Sequence, residues 1–459
     1  MFQKDTIAAI ATGMTNAGIG IIRVSGTESI QIVDSIFHAK QAGKTLVDLP
    51  GYSALFGNIC DGDCVLDEAI CLVMRAPNSY TTEDVVEIQC HGGIVMLRRI
   101  LELVIRSGAR AAEPGEFTKR AFLGGRIDIT QAESVMDMIH AKNELAARSS
   151  ATQLQGKLSE KIKALRAMIL NHIAYIESAL DDPENYSLEG YSEELKLQVE
   201  ETINQVNALL STAEEGKMIK EGIRTVILGK PNAGKSSLLN QLLGEERAIV
   251  TEVAGTTRDT LEEDVVIQGI PLKIIDTAGI HDTVDIVEKI GVDKAKNSME
   301  EADLILYVVD GARPLDDDDM QIMSLLKDRK VITIINKIDM EQVVDKEWIT
   351  SKLHTSVVEI SAKTGDGVQD LYECLKNLFF HGKLTMNDEV YITNLRHKQG
   401  LMETIESLQR VLDSIEQQMP EDFLTIDLMA AYEQLGYILG ESLGDDLANE
   451  IFSKFCMGK

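Results

Sequence analysis

Apolar positions along the chain change their period twice. Over residues 1–120, short runs such as Ile19-Gly20-Ile21-Ile22 and Val85-Val86-Glu87-Ile88 are broken by Gly, Pro and Asn. That grammar predicts strands and turns, with a helix over 94–106. From about residue 121 the spacing becomes helical. Leu158, Ile162, Leu165, Ile169, Ile173, Ile176 and Leu180 recur at three and four residues, one face of a long amphipathic helix. Pro183 ends it, and a second stripe runs through Leu195, Val199, Ile203, Val206 and Leu210. The same spacing returns after residue 395, at Ile405, Leu408, Leu412 and Ile415, then at Leu424, Leu428, Leu435, Leu439 and Leu443. Each stripe needs a partner face, so the economical arrangement is one helical bundle built from both segments, with residues 217–382 inserted between them.

The inserted segment has a different pattern: apolar strands, each ending in a polar motif. Arg224 to Leu228 leads into G-K-P-N-A-G-K-S, residues 229–236, which fits G-x-x-x-x-G-K-[ST]. Gly229 and Gly234 let backbone N–H groups turn towards phosphates. Lys235 reaches the β- and γ-phosphate oxygens, Ser236 supplies a hydroxyl to Mg²⁺, and Ser237 opens the following helix. The strand Leu272 to Ile275 ends in Asp276-Thr277-Ala278-Gly279, where Asp276 suits a water-mediated Mg²⁺ contact and Gly279 a γ-phosphate contact. Val331 to Ile335 ends in Asn336-Lys337-Ile338-Asp339, whose carboxylate accepts both donors of a guanine edge. Ser361-Ala362-Lys363 follows Val357 to Ile360, where a backbone N–H can read the guanine O6. The ordered set of four predicts a Ras-like GTPase domain that selects GTP over ATP.

Between the first two motifs lies G-T-T-R-D, residues 255–259, similar to the switch I of translation-factor-type GTPases, with Thr257 as the expected Mg²⁺ ligand. Ile280 stands where Ras-type enzymes carry their water-orienting Gln, so hydrolysis must be organised otherwise. Arg258 could serve in cis. Alternatively, a monovalent cation near the neutral oxygen of Asn232 could neutralise charge between phosphates. Glu288 is a candidate to orient water through a second solvent molecule, against the plain alternative of a solvated helix residue.

Charge narrows the function classes. The 459 residues carry 74 acidic and 45 basic side chains, a formal net charge of −29. Residues 1–120 hold 14 acidic and 11 basic groups, net −3, whereas 217–382 hold 30 and 20, net −10. An autonomous basic nucleic-acid binder is excluded, because phosphate binding needs local Lys and Arg density. A lone tryptophan, Trp348, argues against a stacking platform for single strands. No apolar run reaches the roughly 18–20 residues of a membrane span. The opening M-F-Q-K-D-T-I lacks an apolar signal core, so a cytoplasmic location is expected. Six scattered cysteines read as free thiols, and the short acidic run Asp316 to Asp319 reads as a solvated loop.

Together with the G motifs, I-R-V-S-G (22–26), Y-T-T-E-D-V-V-E (80–87), H-G-G (91–93), E-P-G-E-F-T-K-R-A-F-L (113–123) and F-C-M-G-K (455–459) resemble the MnmE (TrmE) family of tRNA-modification GTPases from end to end. The resemblance implies an α/β + all-α + α/β chain. Residues 1–120 would be an N-terminal α/β domain that dimerises and binds a tetrahydrofolate. Residues 121–216 and 383–459 would form the helical domain, and 217–382 the inserted P-loop G domain. It implies an FAD-dependent partner, MnmG (GidA), using FAD and NADH. Together the two add an aminomethyl or carboxymethylaminomethyl group at C5 of the wobble uridine of certain tRNAs, with potassium-stimulated GTP hydrolysis. The potassium ligands implied are Asn232 with loop groups of Thr251, Val253 and Thr256, within a nucleotide-binding stretch that also holds Glu252, Ala254, Gly255 and Thr257. Catalytic roles fall on Glu288, Asn232 and Lys235. Folate contacts fall on Arg23, Glu87, Arg126 and Lys459; without the resemblance Arg23 and Glu87 read as surface residues. Cys456 matches the family's C-terminal cysteine, either as a functional thiol or as a small packed residue.

The sequence departs from the family pattern at Thr82, usually Gly, at Cys90, where Gly is common, and at Arg126, where Lys is frequent. Two competing readings stay open at this level. A regulatory switch GTPase of ribosome assembly is disfavoured because the region after residue 382 is acidic and helical and lacks a KH-type G-x-x-G loop. A folate-dependent one-carbon transferase, with GTP serving only assembly, is the third.

Overall fold

The computed structural model describes residues 5–245, 262–275, 299–380, 382, 390–441, 445–456 and 458. In chain order the first elements are β1 (Ile7–Ile10), β2 (Ala17–Ser25), α1 (Ser29–Asp34), β3 (Phe37–Ala39), β4 (Ser53–Asp61), β5 (Cys64–Met74), β6 (Val85–Gly92), α2 (Ile94–Arg106), β7 (Arg110–Ala111) and α3 (Glu116–Leu123). A helical run follows: α4 (Ile129–His140), α5 (Glu144–Leu154), α6 (Lys157–Asp181), α7 (Tyr191–Ser211) and α8 (Ala213–Glu221). Then come β8 (Ile223–Leu228), α9 (Lys235–Glu245), β9 (Glu263–Ile267), β10 (Ile270–Ile274), β11 (Leu304–Asp310), α10 (Asp317–Leu325), β12 (Val331–Asn336), α11 (Lys346–Leu353), β13 (Ser356–Ile360) and α12 (Val368–Phe380). Helices α13 (Leu395–Glu416), α14 (Glu421–Leu439) and α15 (Asp445–Ser453) close the chain. The predicted stripes thus fall on α6, α7, α13 and α14, apart from Leu443, which lies outside the described residues, and α6 stops two residues before Pro183. Two compact units emerge: residues 1–136, 154–168 and 432–459 form one, and 137–153 with 169–431 the other.

The first unit is built on a seven-stranded sheet in the order β3-β4-β5-β6-β2-β1-β7, antiparallel except for the β1–β7 pair. Period-two alternation sends Ala69, Cys71 and Val73 of β5 into the core beneath α2, where Leu97, Ile100 and Val104 meet them. The opposite face leaves Phe56 and Ile70 about half exposed. A charge lattice fastens β1, β7 and α3 together. Arg110 Nε donates to Asp5 at 2.8 Å and its Nη2 to Glu116 at 2.7 Å, while Arg120 reaches Asp5 at 2.8 Å and Glu83 at 3.1 Å. In the same unit the Arg166 guanidinium lies 4.0 Å over the Tyr432 ring, joining a helix before the insertion to one after it.

The second unit holds a six-stranded sheet, β13-β12-β11-β8-β10-β9, parallel except that β9 runs antiparallel to β10. Its central strands are buried along their length, which is why Leu304–Asp310 and Val331–Asn336 read as unbroken apolar runs. Helix α7 packs on α13, with Leu195, Val199 and Val206 buried on one and Leu401, Leu408 and Val411 on the other. Where the chain enters and leaves the GTPase part, the Ile392 N–H donates to Thr212 Oγ1 at 3.1 Å and Lys398 pairs with Glu214 at 2.6 Å. These contacts pair a helix before the insertion with one after it, as the stripes lead one to expect. Among the described residues no helix is long and apolar enough to cross a membrane.

One expectation is corrected. Asp316 to Asp319 is not a solvated loop but the start of α10. The Asp316 carboxylate accepts the N–H groups of Asp318 and Asp319 at 3.1 and 3.3 Å, and Asp319 accepts the Asp316 N–H at 3.0 Å. This capping box satisfies the open N–H groups of the helix end, and Asp319 is only 5% exposed.

Candidate functional site

The phosphate loop joins β8 to α9, as the strand–loop–helix motif requires. Gly234 takes φ +99°, and a Cβ there would run into Asn336 Nδ2, so only glycine fits. Asn232 also lies in the left-handed region, at φ +65°, with its side chain at the exposed rim. Lys235 Nζ donates to the carbonyls of Gly229 and Lys230 at 2.7 and 2.9 Å. Burial holds its pKa below the ordinary lysine value, so an arriving phosphate dianion would meet a partly desolvated cation. Ser236 follows on the first turn of α9, and Ser237 is exposed beside it.

Asn336 is the hinge of the nucleotide site. Its Nδ2 donates to Ala233 O in the phosphate loop at 2.9 Å, and its Oδ1 accepts the Ala362 N–H at 2.9 Å. One buried amide therefore holds three loops in register: phosphate, guanine-edge and Ser361-Ala362-Lys363. Asp339 accepts Ser361 Oγ at 2.8 Å, which orients the carboxylate. Lys337 pairs with Asp310 at 2.7 Å; burial pushes the Asp310 carboxyl up, but Lys337 and the Ala312 N–H outweigh it and leave it below the usual range. Lys363 is exposed. The structure thus brings together Asn232, Ala233, Gly234, Lys235, Ser236, Asn336, Lys337, Asp339, Ser361 and Ala362. The expectations on Thr251, Glu252, Val253, Ala254, Gly255, Thr256, Thr257, Arg258, Asp276, Thr277, Ala278, Gly279, Glu288 and Lys459 fall outside the described residues.

A second constellation lies in the first unit. Arg23 on β2 and Glu87 on β6 are direct partners in the antiparallel ladder, and Nε and Nη2 of Arg23 each lie 2.9 Å from Glu87 Oε1. Both side chains are only 15% exposed, which corrects the surface reading. The Arg23 guanidinium lies 5.5 Å from the Tyr80 ring centre and 5.7 Å from that of Phe117, and its Nη1 donates to Gly458 O at 3.2 Å. Arg126 covers Tyr80 at 4.8 Å and donates to the Tyr80 carbonyl at 3.2 Å. Two cations therefore lie within reach of one aromatic ring, and Tyr80 and Arg126 line a cavity of about 420 Å³ together with Tyr52, Met74 and Asn78 among others. Cys456 exposes its side chain, so the packed alternative is not met; its carbonyl accepts the Gly115 N–H at 3.4 Å. Tyr80 was missed as a site residue. Its signal was an aromatic in the Pro- and Asn-bearing stretch between two strands.

Comparisons with known proteins agree along the whole chain. Residues 6–126 match the family described as GTP-binding protein TrmE N-terminus, and residues 129–456 match MnmE helical domain. The chain is 54% identical over 457 residues to the tRNA modification GTPase MnmE of Lachnoclostridium phytofermentans, covering 100% of both. Proteins of the same name from Clostridioides difficile and Alkaliphilus metalliredigens are 45% and 46% identical, again over 100% of each chain. A solved G domain of the T. maritima FeoB iron transporter is 25% identical with a TM-score of 0.27, covering 33% of this chain and 96% of its own. With phosphate and guanine loops joined through Asn336, and relatives matched from end to end, the chain belongs to the MnmE (TrmE) family of tRNA modification GTPases.

Proposed function

We propose that this chain is a potassium-dependent GTP hydrolase that works with an FAD-dependent partner of the MnmG (GidA) type. Together they would add an aminomethyl or carboxymethylaminomethyl group to C5 of the wobble uridine of certain tRNAs, drawing the carbon from a tetrahydrofolate. In this reading residues 1–120, together with Arg126, carry the folate pocket, residues 1–120 carry the dimer contact, and 217–382 the GTPase. The observation that carries it is the convergence of Arg126 and of Arg23, itself held by Glu87, on the Tyr80 ring. A folate is a flat donor–acceptor ring with an anionic tail, and it suits an aromatic wall, a carboxylate and two guanidinium groups. Bound there, it would supply the one-carbon unit. The exposed Phe56 and Ile70 on the open sheet face support a second copy packing on that face.

In the nucleotide site Lys235 meets the β- and γ-phosphates while Asp339 and the Ala362 loop read guanine. Mg²⁺ would be held by Ser236 and Thr257, with Asp276 through water. K⁺ would be held by Asn232 with Thr251, Val253 and Thr256. The Asn232 amide, neutral and at the loop rim, is the oxygen donor a hard monovalent cation takes. Glu288 would orient the attacking water. Cys456, exposed, remains open to a partner's chemistry.

Mass analysis of wobble nucleosides in cells lacking this protein tests the reading: the C5-modified uridine should be lost, and unchanged nucleosides would reject it. The net −3 of residues 1–120 against −29 overall supports tRNA docking chiefly through the partner, so affinity for tRNA alone should be weak and salt-sensitive.

A further inference from the structure

Lys230, the second residue of the phosphate loop, sends its side chain away from the loop to the start of α10. Its Nζ donates to Asp319 Oδ2 at 3.1 Å and also to Asp316. Asp319 is buried and already holds the Tyr307 hydroxyl at 3.2 Å and the Asp316 N–H at 3.0 Å. The backbone of Lys230 does separate work: its carbonyl accepts the Lys235 ammonium at 2.9 Å and the Ala233 N–H at 3.3 Å. One residue therefore anchors the loop to a helix and supplies the carbonyl against which the phosphate-binding lysine rests.

The segment that carries these carboxylates grips the guanine loop at its other end. Asp310 pairs with Lys337 at 2.7 Å, and the Gly311 N–H donates to Asn336 O at 2.9 Å. Residues 310–319 thus touch both nucleotide loops, outside the four sequence motifs.

We propose that Lys230 and Asp319 are positioning residues for GTP: they brace the phosphate loop against α10, and the 310–319 segment sets its separation from the guanine loop. The base and the phosphates of one nucleotide must be reached together, so a loose brace weakens binding. The hydrolytic groups, once the nucleotide is seated, stay as they were.

The test is steady-state GTP turnover and GDP binding by the full chain carrying Lys230→Met, Lys230→Arg, Asp319→Asn or the K230M/D319N pair. Lys230→Met and Asp319→Asn should each raise KM for GTP and weaken GDP by about tenfold, with kcat changed by less than about twofold. Lys230→Arg should restore most of the loss. The double variant should be little worse than either single one, because both remove the same contact. A KM within about twofold of the parent in Lys230→Met, losses that add in the double variant, or a fall in kcat at unchanged KM would overturn the brace. If Asp319→Asn does not fold, Lys230→Met and its rescue by arginine decide alone, since Lys230 is only partly buried and arginine keeps the charge that Asp319 faces.

Discussion

Arg23 and Glu87 face each other across the β2–β6 ladder, with two guanidinium nitrogens 2.9 Å from one carboxylate oxygen. The pair is largely removed from water, so breaking it leaves a charge without its partner. Glu87→Gln should lower stability by about 1–3 kcal/mol and weaken binding of a tetrahydrofolate by about tenfold. Calorimetric titration with the folate checks the second figure; unchanged affinity would remove Glu87 from the pocket.

Asp339, held by Ser361 Oγ, is the carboxylate proposed to read guanine. Asparagine in its place offers an amide donor, which suits the second carbonyl of xanthine and not the exocyclic amine of guanine. Asp339→Asn should lose GTP affinity by about a hundredfold while gaining XTP. Competition between the two nucleotides measures it.

The potassium expectation rests on Asn232 and on Ile280 in place of glutamine. GTP turnover should run at least about tenfold faster in KCl than in NaCl at equal ionic strength. Equal rates would sink it.

Thr82 is a β-branched residue at φ +66°, where the resembled family has glycine, and its hydroxyl stands where a side chain on Gly124 would go. The left-handed conformation costs such a residue about 1–2 kcal/mol, and glycine returns part of that through a freer unfolded chain. Thr82→Gly should therefore raise stability by about 0.5–1 kcal/mol. A lowered melting temperature would mean that the contact with the Gly124 turn outweighs the strain.

Glu116 sets part of the acid limit. Burial pushes its carboxyl up, but Arg110, the Glu113 N–H and Arg120 outweigh this and leave it below the usual range. A depressed carboxyl contributes its stability above the ordinary glutamate value of about 4.3, and that contribution is lost as pH falls through the lower folded value. Acid unfolding of Glu116→Gln should be flatter across this window than that of the parent, as followed by circular dichroism.

Element type was legible wherever period and punctuation agreed, as along α6 or at the G-K-P-N-A-G-K-S turn. The phosphate and guanine motifs were legible because each is contiguous. What escaped needed distance in sequence to become proximity in space. Arg23 and Glu87 are brought together by a strand register that neither segment announces. Asp319 escapes because the burial of its carboxylate depends on Lys230, 89 residues away, and on the Tyr307 hydroxyl. Tyr80 stands out only when Arg23 and Arg126 both come within cation–π distance of its ring.

The clasp between Thr212 and Ile392 bears on how this chain reaches its folded state. Helices α7 and α13 must find each other across the whole inserted segment, and as a flexible loop that segment would impose a closure entropy growing with the logarithm of its length. Once the inserted part has folded with its two ends joined by Thr212 and Ile392, the effective loop is only a few residues long. The helical domain then closes almost as a local hairpin does. A GTPase part held together in this way would act as a folding template for its host, and substitutions that loosen the clasp should slow assembly of the helical domain more than that of the GTPase, as stopped-flow refolding would read.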